Sequence, residues 1–223
     1  IQYFTTNSKM PKVSIITPSI RPKGLEITQK CLKNQTFTSF EWLVEVGLGN
    51  KHDFNQAMNR MIKRAKGDLI IILQDYIKVS DTFIQECVDA YKPDTLFTCP
   101  VGKVDNEIYE GSPKWDWRNN PNSQMDWRMW EIDVGFCAKD ILFAVGGFDE
   151  RLDEYWSMDN VSVGMRAGIL GYKFDVLRET KCIAFDHDAF IEHPFRKDYK
   201  PAIINMIMEE YKENPKLNYL LLT

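Results

Sequence analysis

Residues 54–75, FNQAMNRMIKRAKGDLIIILQD, decide the fold class of this 223-residue chain. The first part of this stretch has apolar side chains at helical spacing, and the pair Lys66-Gly67 ends the predicted helix. The run at residues 68–73, DLIIIL, is apolar on both faces, as expected of a strand buried inside a parallel sheet. A helix that leads directly into such a strand is half of a βαβ unit, and the polar Gln74 and Asp75 follow at once.

The same alternation continues on both sides of this stretch. Strands are predicted at residues 12–17, 41–46, 68–73, 95–100, 132–138 and 180–185. Helices are predicted at residues 24–34, 54–65, 80–91, 139–145, 159–170 and 201–211. Residues 102–130 are rich in Trp, Asn, Pro and Asp without a sustained period, which is typical of long loops with short elements. The pattern predicts one α/β domain with a mainly parallel central sheet flanked by helices.

Composition narrows the class of protein. The chain is 44% hydrophobic and 13% aromatic, as globular proteins are, and its net charge of −4 lacks the basic footprint of a nucleic-acid binder. No run approaches the roughly 20 apolar residues of a membrane span, and no signal-peptide pattern is present. The cysteines are scattered without the close pairs of a zinc site, which favours a reducing compartment. We therefore expect a cytoplasmic protein.

Polar residues cluster where the predicted strands end. In an open parallel sheet, ligands bind at the carboxyl ends of the strands, where loops and helix N-termini converge. The residues in question are Thr17, Pro18, Ser19, Arg21, Glu45, Gly47, Gln74, Asp75, Asp186, His187 and Asp188. A carboxylate and an imidazole beside diphosphate oxygens would suit Mn²⁺ or Mg²⁺. An Asp after a strand also serves as a turn former or helix cap, which is the structural alternative for Asp75. The alternative for His187 is that of most lone histidines, which are surface residues or hydrogen-bonded core residues.

Four segments together resemble glycosyltransferase family 2. VSIITPSIRP (residues 13–22) resembles the opening strand and nucleotide loop of that family, and CLKNQTFTSFEWLVEV (residues 31–46) resembles its first helix and second strand. NQAMNRMIKRAKGDLIIILQD (residues 55–75) leads into the position of the metal-binding Asp-x-Asp motif. VGGFDERLDEYWSMDNVSVGMRAGILGYKF (residues 145–174) resembles the Gly-Gly-Phe-Asp-Glu segment and the acidic pair that opens the next helix.

The resemblance implies a GT-A fold and assigns roles to residues. Asp75 and His187 would hold the divalent ion, and Asp159 would take the proton from the attacking acceptor hydroxyl. Residues 1–100 would form the nucleotide-binding part, residues 101–200 the acceptor-binding and catalytic part, and residues 201–223 a C-terminal helix. Donor contacts would come from Thr17, Pro18, Ser19, Arg21, Glu45, Asn55, Asn59, Gln74, Asp75 and Arg196, the last from a loop that could close over the diphosphate.

The acceptor is expected beside residues 102–130, the Trp-rich stretch that we call the aromatic segment. Indole faces stack well on sugar rings, and Trp117, Trp127 and Trp156 lie near the place where an acceptor would enter, with Gly147 of the Gly-Gly-Phe-Asp-Glu segment. The alternative is that some of these tryptophans only build a small loop core. The acceptor itself would carry a hydroxyl group, and its class is open.

The chain departs from the family pattern at four points. Asn160 stands where the usual base would be, which leaves Asp159 as the neighbouring carboxylate. The Asp-x-Asp region is Gln-Asp-Tyr, with Asp75 as its only carboxylate. The second strand ends in EVGLG without the Asp that commonly contacts the nucleobase, so Glu45 or Asp53 could substitute. Met58 replaces an Arg beside Asn59.

These features leave three functions open. The first is a metal-dependent, inverting transfer of a sugar from a nucleoside diphosphate donor, with UDP favoured, to a hydroxyl acceptor. The second is a silent nucleotide-sugar or glycan-binding module, which Asn160 and the single carboxylate of the Gln-Asp-Tyr segment would fit. The third is a nucleotidyltransferase, in which the Gly-Gly-Phe-Asp-Glu segment has no obvious role.

Overall fold

The computed structural model describes residues 12–19, 22–47, 53–104, 112–155, 158–185 and 200–220. Its strands are β1 (Val13–Ser19), β2 (Phe40–Val46), β3 (Leu69–Leu73), β4 (Ile77–Lys78), β5 (Thr95–Thr98), β6 (Val101–Val104), β7 (Lys114–Trp115), β8 (Val134–Ala138), β9 (Lys173–Val176) and β10 (Cys182–Phe185). Its helices are α1 (Pro22–Lys33), α2 (Phe54–Arg64), α3 (Phe83–Ala90), α4 (Lys139–Val145), α5 (Asp159–Ile169) and α6 (Pro201–Glu213). The fold is α/β, as the sequence predicted.

The main sheet has six strands in the order β2-β1-β3-β8-β5-β9. Strands β1, β2 and β3 are mutually parallel, and β9 is parallel to β5. Strand β8 runs antiparallel to both of its neighbours, β3 and β5. The start of β8 therefore lies at the edge of the sheet where the parallel strands end, and the residues that precede it reach that edge.

A second sheet covers part of the domain in the order β4-β10-β6-β7. Strand β10 is antiparallel to β4, with Ala184 opposite Ile77. Because β4 follows Asp75 by two residues, the late strand β10 lies beside the loop that carries Asp75. This pairing joins the segment that follows Asp75 to a strand about 100 residues later in the sequence.

The core has two apolar layers, one on each face of the main sheet. Strand β3 is fully buried along its length, with Ile71 facing one layer and Ile70 and Ile72 the other. Helix α2 contributes Met58 and Met61 to the second layer, where α4 and α5 also pack. Such two-sided burial is why the sequence shows a continuous apolar run at β3 rather than an alternating pattern.

Most element predictions agree with the structure to within one to three residues. The helix predicted at residues 80–91 begins at Phe83, because Ser80 to Thr82 form a turn in which the Phe83 amide donates to the Ser80 carbonyl. Strand β9 was not predicted from the sequence. It is a four-residue strand at the edge of the sheet, and only Val176 is buried, so it carries little hydrophobic signal.

Three cysteines that are far apart in the sequence lie together in the core. The thiol of Cys99 contacts those of Cys87 and Cys182, and all three side chains are fully buried. Burial raises the pKa of Cys87 well above its ordinary value, which keeps that thiol protonated. Across the described ranges all five cysteines are free thiols, and no helix is long and apolar enough to cross a lipid bilayer.

Replacing Gly147 with alanine is expected to destabilise the protein more than replacing Gly171. Both glycines have positive φ, 93° and 86°, so alanine costs about 1–2 kcal/mol of backbone strain at either site. Only at Gly147 would the added Cβ also crowd a neighbour, lying 2.5 Å from Asn59 Oδ1, whereas at Gly171 it meets nothing within 4 Å. Urea denaturation of both variants measures the difference, and equal losses would contradict this account.

Candidate active site

Asp75 lies in a closely packed corner at the end of β3. Its side chain is fully buried, and the Ser19 hydroxyl donates a hydrogen bond of 2.5 Å to Asp75 Oδ2. A Cβ on Gly24 of α1 would lie 2.0 Å from the Asp75 carbonyl oxygen, so the helix can approach this loop only because residue 24 is glycine. The ends of β1 and β3 are thereby brought together, as the strand-end pattern predicted.

The other predicted donor residues of β1 and β2 already have protein partners. Trp42 Nε1 donates to Thr17 Oγ1 at 3.0 Å, and Pro18 lies opposite Glu45 in the β1–β2 register. The Glu45 carboxylate pairs with two arginines of α2, at 2.7 Å from Arg64 and 3.2 Å from Arg60. Glu45 is therefore tied to α2.

The segment before β8 forms the central part of the same edge. The backbone amide of Gln74 donates to the carbonyl of Asp133 at 3.0 Å. The Asp133 carboxylate receives two hydrogen bonds of 2.7 Å from the guanidinium of Arg118, which is only 3% exposed. Arg118 Nε also donates to Asp116 at 2.8 Å. This buried fork joins the aromatic segment to the sheet, a role for Arg118 that sequence reasoning missed because the two aspartates are 17 residues apart.

Asp159, the predicted base, lies at the first position of α5 and is half-buried. Asn55 Nδ2 donates to Asp159 Oδ1 at 2.6 Å and to Asp153 Oδ1 at 3.0 Å. Burial raises the pKa of Asp159 to about 7, the Asn55 hydrogen bond acts in the opposite direction, and the charge of Asp153 raises the pKa further. A carboxylate with this pKa can exchange a proton near neutral pH.

The backbone just before Asp159 is strained. Met158 has φ 64° and ψ 18°, and within the described part of the chain it is the one residue other than glycine with positive φ. Such conformations cost about 1–3 kcal/mol and persist where the surrounding structure holds them. They are concentrated at functional sites, which agrees with the expected position of the base.

Asn160 is a donor in this structure, which explains why an amide stands at this position. Its Nδ2 donates to the Trp130 carbonyl at 2.7 Å and to Glu131 Oε2 at 3.2 Å. Both partners are acceptors, so an ionised carboxylate at residue 160 could bond to neither. Burial and the nearby Asp133 raise the pKa of Glu131. Glu131 thus brings a further carboxylate beside α5, in addition to Asp153, and nothing in the sequence distinguished it.

Asn59 and Gly147 form a structural contact. Asn59 Nδ2 donates to the Phe148 carbonyl at 2.9 Å, and Asn59 Oδ1 accepts from the Phe148 amide at 2.8 Å. Gly147 packs directly on the same Asn59 side chain. The predicted donor residue Asn59 and the predicted acceptor residue Gly147 are brought together, and they hold the Gly-Gly-Phe-Asp-Glu segment against α2.

Asp149 of the same segment also has a structural role. It is fully buried and accepts hydrogen bonds from Tyr211 at 2.7 Å, Tyr219 at 3.2 Å and Arg151 at 2.8 Å. Tyr211 belongs to α6, whose position is therefore fixed by this carboxylate. The Asp149 side chain thus holds α6 and the segment around Tyr219 against the rest of the domain.

Of the predicted acceptor tryptophans, two are described. Trp127 is half-buried and packs against α5 beside Gly164 and Gly168. Trp117 is also half-buried, and it opens a short 3₁₀ helix capped by Asp116. The predicted residues Arg21, Trp156, His187 and Arg196 lie outside the described residues. Within the described ranges, no cluster of three or more His, Cys, Asp or Glu side chains could hold a metal ion.

Changing Asn160 to aspartate is expected to destabilise the protein rather than supply a base. The new carboxylate would face two acceptors, the Trp130 carbonyl and Glu131, at a cost of about 1–3 kcal/mol. Two facing acceptors favour the protonated carboxyl, so the pKa of the new side chain is higher in the folded state than in the unfolded chain. The deficit should therefore shrink as the pH falls from 7 towards the unfolded pKa of about 4, where protonation makes the carboxyl group a donor. Urea denaturation at pH 7 and pH 4 measures it, with Asn122→Asp on the exposed loop as control. A stable variant at pH 7 would contradict the proposed contacts.

No protein-family profile matches the sequence, and no curated protein resembles it significantly. Solved structures do match. S. aureus TarS 1–349 in complex with UDP-GlcNAc gives a TM-score of 0.63 at 15% identity, over 89% of this chain and 65% of that one. The complex of TarS 1–349 with UDP gives a TM-score of 0.57 at 15% identity, over 78% of this chain and 60% of that one.

A third structure covers nearly the whole chain. The mannosyltransferase PcManGT from Pyrobaculum calidifontis, in complex with GDP-Man and Mn²⁺, gives a TM-score of 0.58 at 12% identity, over 96% of this chain and 73% of that one. The chain thus spans between 60% and 73% of the length of these three structures. The likeness establishes the fold: this chain has the GT-A-type α/β fold of glycosyltransferases that its sequence motifs predicted.

Proposed function

We propose that the chain transfers a sugar from a nucleoside diphosphate sugar, with UDP as the favoured nucleotide, to a hydroxyl-bearing acceptor. The observation that carries this proposal is Asp159, a half-buried carboxylate with a pKa of about 7 at the edge of the sheet where the parallel strands end. Two structures of the same fold contain UDP or UDP-GlcNAc, and a third contains GDP-Man. They support the donor class.

A continuous set of contacts links the expected donor side to Asp159. Gln74, beside Asp75, donates to Asp133, and Glu131 two residues earlier accepts from Asn160. Asn160 is adjacent to Asp159 at the start of α5. The donor would lie along the loops after β1 and β3, with Ser19, Gln74 and Asp75, and the acceptor beside Trp117 and Trp127. Arg21, Arg196 and Trp156 lie outside the described residues. From the sequence alone, Arg21 and Arg196 are proposed to bind the donor and Trp156 the acceptor.

The proposed reaction is a direct displacement at the anomeric carbon. The acceptor oxygen forms a bond to that carbon while the bond to the diphosphate oxygen breaks, and the nucleoside diphosphate leaves with the bonding electrons. Asp159 takes the proton of the acceptor hydroxyl as the new bond forms. Attack from the side opposite the leaving group inverts the anomeric configuration. Asp159 must be ionised for this step, so the rate is expected to rise with pH through about 7.

A divalent ion, Mn²⁺ or Mg²⁺, would be held by Asp75 and His187. Asp75 supplies a buried oxygen ligand of the kind these ions prefer. The β10–β4 pairing supports the second ligand, because β10 ends two residues before His187 in the sequence and lies beside the segment that follows Asp75. When bound, the ion would offset the negative charge that develops on the leaving diphosphate. The Mn²⁺ in the PcManGT complex agrees with this use of metal.

A silent binding module with the same fold is the second candidate. Asn160 favours it, because its amide occupies the usual position of the base and serves to hold Trp130. Such a module would bind a nucleotide sugar and release no product. Sustained release of a nucleoside diphosphate would exclude this candidate, and release of pyrophosphate instead would identify a nucleotidyltransferase.

Asp159→Asn is expected to lower turnover by about 10²–10⁴-fold without weakening donor binding, since it removes the proton acceptor and keeps the shape of the side chain. The measurement is release of UDP from a UDP-sugar, with calorimetry for donor affinity. Asp94→Asn, which alters an exposed ion pair with Lys173 and a hydrogen bond from Thr95, both outside the candidate site, is the control and should retain full turnover. An Asp159→Asn variant as fast as the parent would eliminate Asp159 as the base.

Asp75→Asn is expected to weaken Mn²⁺-dependent binding of UDP by about 10–100-fold, because an amide is a poorer ligand for a hard cation than a carboxylate. Calorimetric titration with UDP in Mn²⁺ and again in EDTA measures this. Chelation should reduce the affinity of the parent and should hardly change that of the variant. If EDTA left the parent's affinity for UDP unchanged, the proposed role of Asp75 would be wrong.

A further inference from the structure

Asn55 is fully buried at the start of α2, and two carboxylates use its side-chain amide. Asn55 Nδ2 lies 2.6 Å from Asp159 Oδ1 and 3.0 Å from Asp153 Oδ1. An amide nitrogen has two hydrogens, and both are engaged by these contacts. Asn55 therefore has no donor left with which to bind a nucleotide.

The orientation of the Asn55 amide is fixed by charge. If the amide were turned over, its oxygen would face two carboxylates, which would replace two attractions by two repulsions. In the orientation found, Asn55 Oδ1 is buried without a hydrogen-bond partner in the described part of the chain. A buried carbonyl normally has a partner, and leaving it without one is costly. The structure tolerates this cost in order to direct both amide hydrogens at Asp153 and Asp159.

Asp153 is held in place from the other side. Its Oδ1 accepts from the backbone amide of Asn55 at 2.7 Å, and its Oδ2 accepts from that of Gln56 at 3.2 Å. These amides belong to the first turn of α2, where no partner within the helix is available, so Asp153 caps this helix. Asp153 itself lies in the 3₁₀ helix Glu150–Glu154, almost 100 residues later in the sequence. Only 4% of Asp153 is exposed. Burial raises the pKa of Asp153 to about 6, so at neutral pH Asp153 is mostly ionised and places a negative charge next to Asp159.

We propose that Asn55 and Asp153 are positioning residues, which act through Asp159 by holding its carboxylate in place and by setting, in opposite directions, how readily it takes a proton. This inference rests on the proposed function, since it assigns Asn55 to the acceptor-activating group and not to the donor. It also makes α2 the element that connects the nucleotide-binding part of the fold to the base.

The opposite directions follow from simple electrostatics. A hydrogen bond from Asn55 stabilises the ionised form of Asp159 and lowers its pKa, whereas the fixed charge of Asp153 destabilises that form and raises the pKa. Among the described residues, the groups that face Asp159 are Asn55 from α2 and Asp153 from the 3₁₀ helix. Glu131, from the loop before β8, contacts the adjacent Asn160 instead. The two carboxylates and one amide thus behave as a coupled unit.

The test compares Asn55→Leu with Asp153→Asn in the intact chain. Asn55→Leu keeps the branched shape of the side chain and the backbone amide that binds Asp153, and it replaces the amide donor and the oxygen without a partner by methyl groups. It is expected to move the titration of Asp159 to higher pH by about one unit or more, whereas Asp153→Asn moves it to lower pH. The titration is followed by ¹³C NMR of labelled aspartate carboxyls, assigned by the signal that Asp159→Asn removes, and by the pH profile of UDP release.

Donor affinity separates positioning from donor binding. Calorimetry should give the same UDP affinity for Asn55→Leu as for the parent, to within about twofold. Opposite shifts of the Asp159 titration with unchanged UDP affinity support the inference. Shifts in the same direction, no shift, or a tenfold loss of UDP affinity in Asn55→Leu would overturn it.

Two further measures keep the test decisive. If Asn55→Leu does not fold, Asn55→Ser, which retains one donor, must move the titration in the same direction by a smaller amount. A purely structural role would lower the rate equally at all pH values and leave the Asp159 titration in place. The NMR titration requires neither donor nor acceptor, so it tests this inference even if the chain binds no nucleotide sugar. Absence of nucleotide-sugar binding would contradict the proposed function and leave the titration result unchanged.

Discussion

Two asparagines of helix α2 hold the two parts of this domain together, and the arrangement of the candidate site depends on them. Asn55 binds the carboxylates of Asp153 and Asp159, and Asn59 pairs with the backbone of Phe148 through both its oxygen and its nitrogen. The contact of Asn55 with Asp159 is partly buried and the others are fully buried. At such depth a hydrogen bond to a charged group is worth more than it would be in water. Helix α2 lies between strands β2 and β3 in the sequence, so these amides connect the expected donor side to the expected base.

The reversed strand β8 makes a second contribution to the site. Because it runs against β3 and β5, the residues that precede it lie at the edge where the parallel strands end. Arg118 fixes this segment through Asp133, and Asn160 fixes it through Trp130 and Glu131. The amide at residue 160 is therefore explained by what it holds. Asn160 departs from the family pattern, and taken alone this departure suggests lost activity. The structure shows that the local hydrogen bonding also requires an amide at this position.

The carboxylates around α5 show how one fold gives similar groups different roles. Asp149 accepts hydrogen bonds from Tyr211, Tyr219 and Arg151. Burial acts to raise its pKa, but Arg151 and Tyr211 together hold that pKa below the ordinary value. Asp159 has a single amide donor among the described contacts and a fixed negative neighbour, and burial raises its pKa to about 7. The difference arises from the number of donors at each carboxylate and not from depth alone. Asp159 can therefore take up and release a proton near neutral pH, whereas Asp149 cannot.

The sequence by itself determined the α/β class, the order of most elements and the strand-end positions of Ser19 and Asp75, because strand and helix patterns depend on near neighbours in the chain. It could not give β9, whose edge position leaves only one buried side chain. Nor could it show that Asn55 faces two carboxylates about 100 residues away in the sequence. It also could not show that Arg118 is buried between the carboxylates of Asp116 and Asp133. Such contacts depend on which distant segments pack together, and tertiary structure alone decides that.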